Sequence, residues 1–215
     1  MKISIKLLDS NAVIGTKILS AIISHLQPAF TKTQTSLQQS LPKIVKDALT
    51  LEPEYASLLS GQLRSELGVP DADSKIDQIF SAWSNNLVVQ SRPISMKGSG
   101  LSGGFSINIV KSDFSDVLSL PSSVVVDNIS GSVIPWLQWL LLEGNKILVR
   151  DYKLRMGSNS RSRTGNAIMV SSTKDNWRVP AQFAGTINNN WVTRAIDRLD
   201  DSILSYIEKE LERHL

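Results

Sequence analysis

The feature that most constrains this chain is a dense apolar run at residues 134–142, which holds two tryptophans and three consecutive leucines. As a helix, it would be apolar around its whole circumference, so it must be buried on all sides; the residues concerned are Trp136, Trp139, Leu140, Leu141 and Leu142. The run is about half of the ~20 residues that a helix needs to cross a bilayer. Periodicity alone cannot separate a helix from a buried strand in so short a run. Because Pro135 suits a first turn and Gly144 suits a helix end, we predict a helix.

The composition of the chain is that of a folded globular protein. Its 215 residues are 41% hydrophobic and 20% charged, and a chain of this length can bury roughly 70% of its unfolded surface. It contains no cysteine, which excludes a disulfide framework, a thiolate metal site and a cysteine nucleophile. Residues 2–8 alternate polar and apolar and contain no apolar core of a signal peptide. We therefore expect one soluble domain over residues 1–215.

The order of the patterns predicts an α+β fold that is helical up to about residue 85. Residues 2–8 alternate like a short strand, and helical spacing follows in residues 11–27. Pro28 is expected to kink or break this helix, and a second helix is predicted over residues 33–49. One apolar face of the first helix is formed by Val13, Ile14, Ile18, Ala21, Ile22 and Leu26.

The rest of the chain predicts an antiparallel sheet and a C-terminal helix packed on it. Residues 87–89 and 105–110 are typical of strands joined by a Gly/Ser-rich loop. Residues 147–156 and 167–171 predict a hairpin whose long tip is residues 157–165. A last helix is predicted from about Asn190, with an apolar stripe made by Val192, Ile196, Leu199, Ile203, Ile207 and Leu211.

The glycine-rich segment at residues 98–104 matches two well-known catalytic or nucleotide-binding patterns by sequence alone. Gly98, Gly100 and Gly103 fit G-x-G-x-x-G, and Ser102 occupies the serine position of G-x-S-x-G. Both motifs require a helix directly afterwards, whereas residues 105–110 alternate like a strand. We therefore interpret the segment as a hairpin loop, and a hydrolase based on Ser102 is only a remote third hypothesis.

The titratable residues do not form a predicted catalytic or metal site. The two histidines, His25 and His214, lie near opposite ends of the chain. The densest carboxylate cluster alternates with basic residues on the last predicted helix, which favours a solvated face with i,i+4 ion pairs. That cluster is Asp197, Asp200, Asp201 and Glu208, beside Arg194, Arg198 and Lys209. We expect no enzymatic activity and no cofactor.

Positive charge is concentrated in one segment. Between Lys146 and Arg163 six residues are basic, whereas Asp151 alone is acidic. Three interpretations stay open: a solvated hairpin tip, docking onto an acidic neighbouring subunit, and lining of a channel that carries nucleic acid. No aromatic residue interleaves with the arginines, so a base-stacking platform is not indicated. The candidate contacts are Lys153, Arg155, Arg161 and Arg163.

Several local motifs together resemble the small tail-completion or neck proteins of long-tailed double-stranded DNA bacteriophages. The first is the Trp-rich run ending in Leu-Glu-Gly at residues 142–144. A basic Ser/Gly hairpin with Arg-Ser-Arg-Thr-Gly at residues 161–165 follows, and then Arg-Val-Pro-Ala-Gln-Phe at residues 178–183 before the terminal helix. Residues 55–64 are similar to the family's Gly-x-Leu-Arg element. The segment 91–132 is longer than the family core, and the Leu-rich run replaces a shorter aromatic element.

The resemblance implies a non-enzymatic subunit of the head–tail connector. Such a subunit forms a ring of six-fold or twelve-fold symmetry, joins the portal or adaptor to the tail tube and leaves a channel for DNA. We expect it in the virion neck after assembly in the host cytoplasm, next to other neck and tail proteins and outside any membrane. The residues expected at subunit interfaces or docking sites are Trp136, Trp139, Leu140, Trp177 and Phe183. The alternative function is a soluble nucleic-acid-binding protein that uses the basic loop.

Overall fold

The computed structural model describes residues 8–109, 113–127 and 131–215. Helices make up 51% of it and strands 22%, in small antiparallel sheets, which confirms the predicted α+β class. The helices are α1 (Asn11–Thr50), α2 (Pro53–Ser60), α3 (Gln62–Leu67), α4 (Ala72–Ser84), α5 (Ser115–Leu118), α6 (Trp136–Leu142), α7 (Trp191–Asp197) and α8 (Asp200–His214). The strands are β1 (Leu87–Lys97), β2 (Gly100–Ile109), β3 (Val125–Val126), β4 (Val133–Ile134), β5 (Val149–Met156) and β6 (Ala167–Trp177).

The chain divides into two compact units, each assembled from segments that are distant in sequence. The described residues form three two-stranded sheets, and each pairs consecutive strands: β1 with β2, β3 with β4, and β5 with β6. The strand predicted at residues 2–8 lies, apart from Leu8, outside the described residues. Unit 1 is Met1–Ser40, Val88–Asn108 and Ile203–Leu215, and unit 2 is Leu41–Leu87 and Ile109–Ser202.

Helix α1 is one continuous helix of 40 residues, so the predicted division into two helices at Pro28 is wrong. Proline removes one helical N–H and leaves the carbonyl of residue i−4 without its donor. Here that residue is Ser24, and both Ser24 and Pro28 are exposed, so water can satisfy the carbonyl. The hydroxyl of Ser24 also donates to the carbonyl of Ser20 at 3.1 Å.

In unit 1 the β1–β2 hairpin is held to α1 by two glutamines. The Gln34 side chain donates to the Val89 carbonyl at 3.1 Å and accepts from the Ser91 hydroxyl at 2.7 Å. The Gln27 side chain accepts from the Ile94 backbone N–H at 3.2 Å. These bonds satisfy backbone groups that an edge strand would leave open.

The Gly/Ser-rich segment is mostly strand rather than the loop predicted between residues 89 and 105. Strand β1 extends to Lys97 and β2 begins at Gly100, so the connection is only two residues. Gly98 adopts φ 61°, the left-handed conformation that tight hairpins require. A Cβ on Gly103 would lie 3.1 Å from the Ile94 Cα, so glycine permits close backbone approach there. Residue 110, which was also predicted as strand, lies outside the described residues.

The single C-terminal helix predicted from about Asn190 is instead two helices, α7 and α8. Helix α7 begins with a capping box, in which the Asn190 side chain accepts from the Thr193 N–H and the Thr193 hydroxyl accepts from the Asn190 N–H. Asp200 and Asp201 occupy the first turn of α8, where acidic residues stabilise a new helix start. In unit 1, α8 contacts α1 through a Tyr206–Ser40 hydrogen bond of 2.7 Å.

Unit 2 has an aromatic and aliphatic core. Trp136, Trp191 and Trp83 are almost fully buried. The indole N–H of Trp191 donates to the Leu49 carbonyl at 3.0 Å, and that of Trp136 donates to the Ser122 carbonyl at 2.9 Å. Each bond removes the cost of burying an unpaired indole N–H, so both rings can fill the core.

The predicted helix in the Leu-rich run is confirmed as α6. Pro135 precedes it, and the N–H of Gly144 donates to the Gly185 carbonyl at 3.1 Å. A Cβ on Gly144 would lie 2.6 Å from the Ala184 Cα, so this glycine is required by close packing after the helix end.

Two buried carboxylates join α2 to the C-terminal part of unit 2. Glu54 is paired with Arg194, and Glu52 is paired with Arg198 at 2.8 Å. Burial raises the pKa of Glu54 above its ordinary value of 4.5, although the neighbouring Arg194 opposes the rise. Both arginines therefore form ion pairs with carboxylates that are distant in sequence.

Candidate assembly surfaces

The Trp-rich residues predicted to form an interface lie mostly in the core of unit 2. Trp136 and Leu140 are 0% exposed, and Trp177 and Phe183 are each 7% exposed. A partner protein cannot reach side chains that their own chain already covers. The interface predicted for these four residues is therefore not available in this conformation.

Trp139 is the one member of the predicted interface set that stays half-buried. Its ring lies 6.0 Å from that of Trp177, and the Trp177 indole donates to a Glu66 carboxylate oxygen at 3.1 Å. An interface role for Trp139 stays a prediction.

The predicted basic hairpin is confirmed as β5 and β6, which pair antiparallel from Met156 opposite Ala167 to Tyr152 opposite Ser171. Its tip is closed by its own hydrogen bonds. The Asn159 N–H donates to the Gly165 carbonyl at 3.1 Å, and the Ser162 hydroxyl accepts from the Ala167 N–H at 3.2 Å. The tip is thus an internally bonded loop.

The four candidate cations of this hairpin are not equivalent. Arg163 donates from Nε to the Gly68 carbonyl at 3.1 Å and forms a 3.1 Å ion pair with Asp127. Gly68 has φ 63°, and a Cβ there would lie 2.6 Å from the Arg163 guanidinium. Arg163 is therefore a structural clamp within unit 2. Lys153, Arg155 and Arg161 are exposed and form no ion pair within the described ranges.

A cleft of about 460 Å³ opens in unit 2 beside the hairpin. Aliphatic side chains of Ile134, Leu154 and Val170 form part of its wall, and Arg161 lies at its edge. Glu66 and Asp127 also line it, but both are bonded to other residues of the unit. The cleft combines apolar surface with one unpaired cation, which suits a protein side chain better than a metal ion.

The sequence predicted an apolar face on the first helix, but it did not predict that this face is left unburied. The helix forms, but none of its residues from Asn11 to Pro28 is buried. Ile18 is 54% exposed and Ile22 is 39% exposed. We call Ile14, Ile18 and Ile22, which follow one another at four-residue steps on one side of the helix, the α1 stripe.

The ion pairs predicted along the acidic cluster do not form. Arg194 and Arg198 are taken by Glu54 and Glu52 instead. Among the described residues, the exposed carboxylates of this cluster and its extension have no ion-pair partner. They are Asp197, Asp200, Asp201, Glu208 and Glu212. One side of α8 consequently carries exposed carboxylates without ion pairs, next to the exposed Lys209.

The residues considered for catalysis and metal binding do not adopt the geometry those functions need. Ser102 lies within β2, not at a turn that enters a helix. In the described ranges no group of three or more His, Cys, Asp or Glu side chains could hold a metal ion. None of the helices within these ranges is long and apolar enough to span a membrane.

Comparison of the chain with protein-family models, curated proteins and solved structures gives no match. A functional proposal must therefore rest on the surfaces described above and on the resemblance of the sequence motifs.

Proposed function

We propose that this protein is a virion structural subunit of the neck or tail-completion type. It forms a ring at the head–tail junction, contacts neighbouring neck and tail proteins, and leaves a channel for DNA. Its own residues perform no bond-making chemistry, and it uses no cofactor. The resemblance of residues 142–144, 161–165 and 178–183 supports this class of function.

The observation that carries the proposal is the α1 stripe. The first half of α1 exposes large aliphatic side chains along a helix in which no residue up to Pro28 is buried. Within residues 11–27 the only Lys, Arg, Asp or Glu is Lys17, which pairs with Asp9 at 2.7 Å. Contiguous apolar surface of this kind marks an interaction site, because leaving it in water is costly. An assembly subunit has this surface covered by a neighbour.

The distribution of charge supports assembly as well. Three exposed cations of the β5–β6 hairpin (Lys153, Arg155 and Arg161) and two exposed carboxylates of α8 (Glu208 and Glu212) form no ion pair within the described ranges. A protein with separate positive and negative surfaces can bind copies of itself and neighbours in a fixed orientation.

The first test replaces Ile18 and Ile22 together with serine. We expect the variant to keep its secondary structure but to sediment as a smaller species than the wild type at equal concentration. The matched control replaces Ile147 and Ile187 with serine. These residues are 52% and 53% exposed, close to the 54% of Ile18, and this variant should sediment like the wild type. Identical sedimentation of all three proteins would contradict a role of the α1 stripe in self-association.

The second test locates the protein in the virus that encodes it. Gold-labelled antibodies against the chain should bind virions at the junction between head and tail. Label on the capsid surface or the tail tip alone, or on no virion, would contradict the proposal.

The alternative function is nucleic-acid binding by the hairpin, and the exposed Lys153, Arg155 and Arg161 favour it. Each phosphate contact on duplex DNA contributes a slope of about −0.9 to the salt dependence of the binding constant. Replacing Arg155 and Arg161 with alanine should then flatten that slope, whereas replacing Lys32 and Lys97 should not. Equal slopes in both variants would contradict nucleic-acid binding by the hairpin.

A further inference from the structure

The outward side of the β5–β6 hairpin combines positive charge with aliphatic surface. Lys153 lies opposite Val170 and Arg155 lies opposite Ile168 in the antiparallel register. Directly opposed residues project to the same side of a sheet. Both cations are exposed, and the two aliphatic side chains are half-buried and also line the cleft of unit 2. We call these four residues the basic strand face.

The outward side of α8 has the opposite charge and similar aliphatic character. Leu204, Glu208 and Glu212 follow one another at four-residue steps, so they share one side of the helix. All three are exposed, and Leu204 is 59% exposed. We call them the acidic helix face.

We propose that the basic strand face of one copy binds the acidic helix face of the next copy. Cations then meet carboxylates, and Ile168 and Val170 meet Leu204. The inference deepens the proposed function and rests on it.

A protein partner fits the basic strand face better than DNA does. Phosphates would neutralise Lys153 and Arg155 but would leave Ile168 and Val170 without an apolar partner. The acidic helix face supplies both kinds of contact. The two faces are also different patches of the chain, so their pairing is head-to-tail. Head-to-tail pairing closes into a ring when the rotation between copies allows it.

Cross-linking tests the pairing, because the chain has no cysteine of its own. A variant with both Ser172→Cys and Ser205→Cys, which lie beside the two faces and leave all their charges in place, is treated with a short bis-maleimide. We expect a ladder of covalent multimers that extends to the ring size. Each single-cysteine variant can link two chains at most, so neither can produce that ladder. If the double variant also stops at dimers while the wild type forms rings, the inference fails and the ring proposal stands.

Charge reversal tests the electrostatic part. Lys153→Glu with Arg155→Glu should weaken self-association about tenfold, because attractive pairs become repulsive. Adding Glu208→Lys and Glu212→Lys to the same chain should restore it. Lys32→Glu with Lys97→Glu changes net charge equally and should leave association unchanged. The inference is overturned if adding Glu208→Lys and Glu212→Lys does not restore self-association. It is also overturned if the Lys153→Glu, Arg155→Glu variant loses DNA binding but associates like the wild type. A wild type that stays monomeric would defeat the ring proposal too.

Discussion

Helix α6 and the first half of α1 are both rich in aliphatic residues, yet they have opposite environments. In α6, Trp136 and Leu140 are completely buried by other parts of unit 2. In α1, Ile18 and Ile22 remain exposed over a helix that has no buried residue before Ala29. An apolar segment must be covered, but its composition does not say whether its own chain or a partner covers it. The structure reverses the burial expected for the two segments.

The largest contrast should appear on truncating one residue from each segment. Leu140→Ala leaves a cavity in a packed core and should lower the free energy of unfolding by about 3 kcal/mol. Ile18→Ala should lower it by less than about 0.5 kcal/mol at concentrations where the chain is monomeric. Urea denaturation followed by circular dichroism measures both values. Comparable losses at low concentration would show that α1 is covered within its own chain.

The hairpin arginines offer a second contrast of the same kind. Arg163→Met removes the hydrogen bond to Gly68 and the ion pair with Asp127, and should cost about 2 kcal/mol of unfolding free energy. Arg161→Met removes a cation without an ion pair in the described ranges and should change stability by less than about 0.5 kcal/mol. Denaturant unfolding of the two variants side by side provides the comparison. A larger loss for Arg161→Met would reverse the assignment of structural and surface roles.

The smallest effect concerns pH. Burial raises the pKa of Glu54, so the folded state keeps this proton to a higher pH than the unfolded state does. The contribution of Glu54 to stability is fully present below its ordinary pKa of 4.5 and is lost as pH rises through the raised folded pKa. Glutamine cannot titrate. The stability of Glu54→Gln relative to the wild type should therefore increase with pH.

The measurement is thermal or urea unfolding at several pH values between about 4 and about 7. Glu208→Gln is the matched control for loss of one carboxylate at an exposed position. A difference between the two variants that stays constant over this range would contradict the pKa assignment.

Local signals in the sequence predicted much of the fold. The β5–β6 hairpin and α6 follow from alternation, from glycine at Gly157 and Gly165, and from the apolar run itself. The continuity of α1 past Pro28 could not be predicted, because it depends on solvent reaching the Ser24 carbonyl. The break between α7 and α8 was also missed. The apolar stripe continues across it and predicts one helix, whereas Asp200 and Asp201 stabilise a new helix start.

The surfaces were harder to predict than the elements. The ion pair of Arg163 joins it to Asp127, 36 residues earlier, and no periodic pattern reports such a pair. Arg194 and Arg198 likewise leave the acidic cluster for Glu54 and Glu52, which are distant in sequence. Tertiary contacts thus decide which charges remain free, and the free charges define the two faces proposed for assembly.

The measurement that tests the central claim most directly is native mass spectrometry of the purified wild-type chain over a range of concentrations. Assembly into a ring predicts one closed species of six or twelve copies that grows at the expense of the monomer as concentration rises. A chain that remains monomeric at every concentration, with the α1 stripe uncovered, would contradict the account.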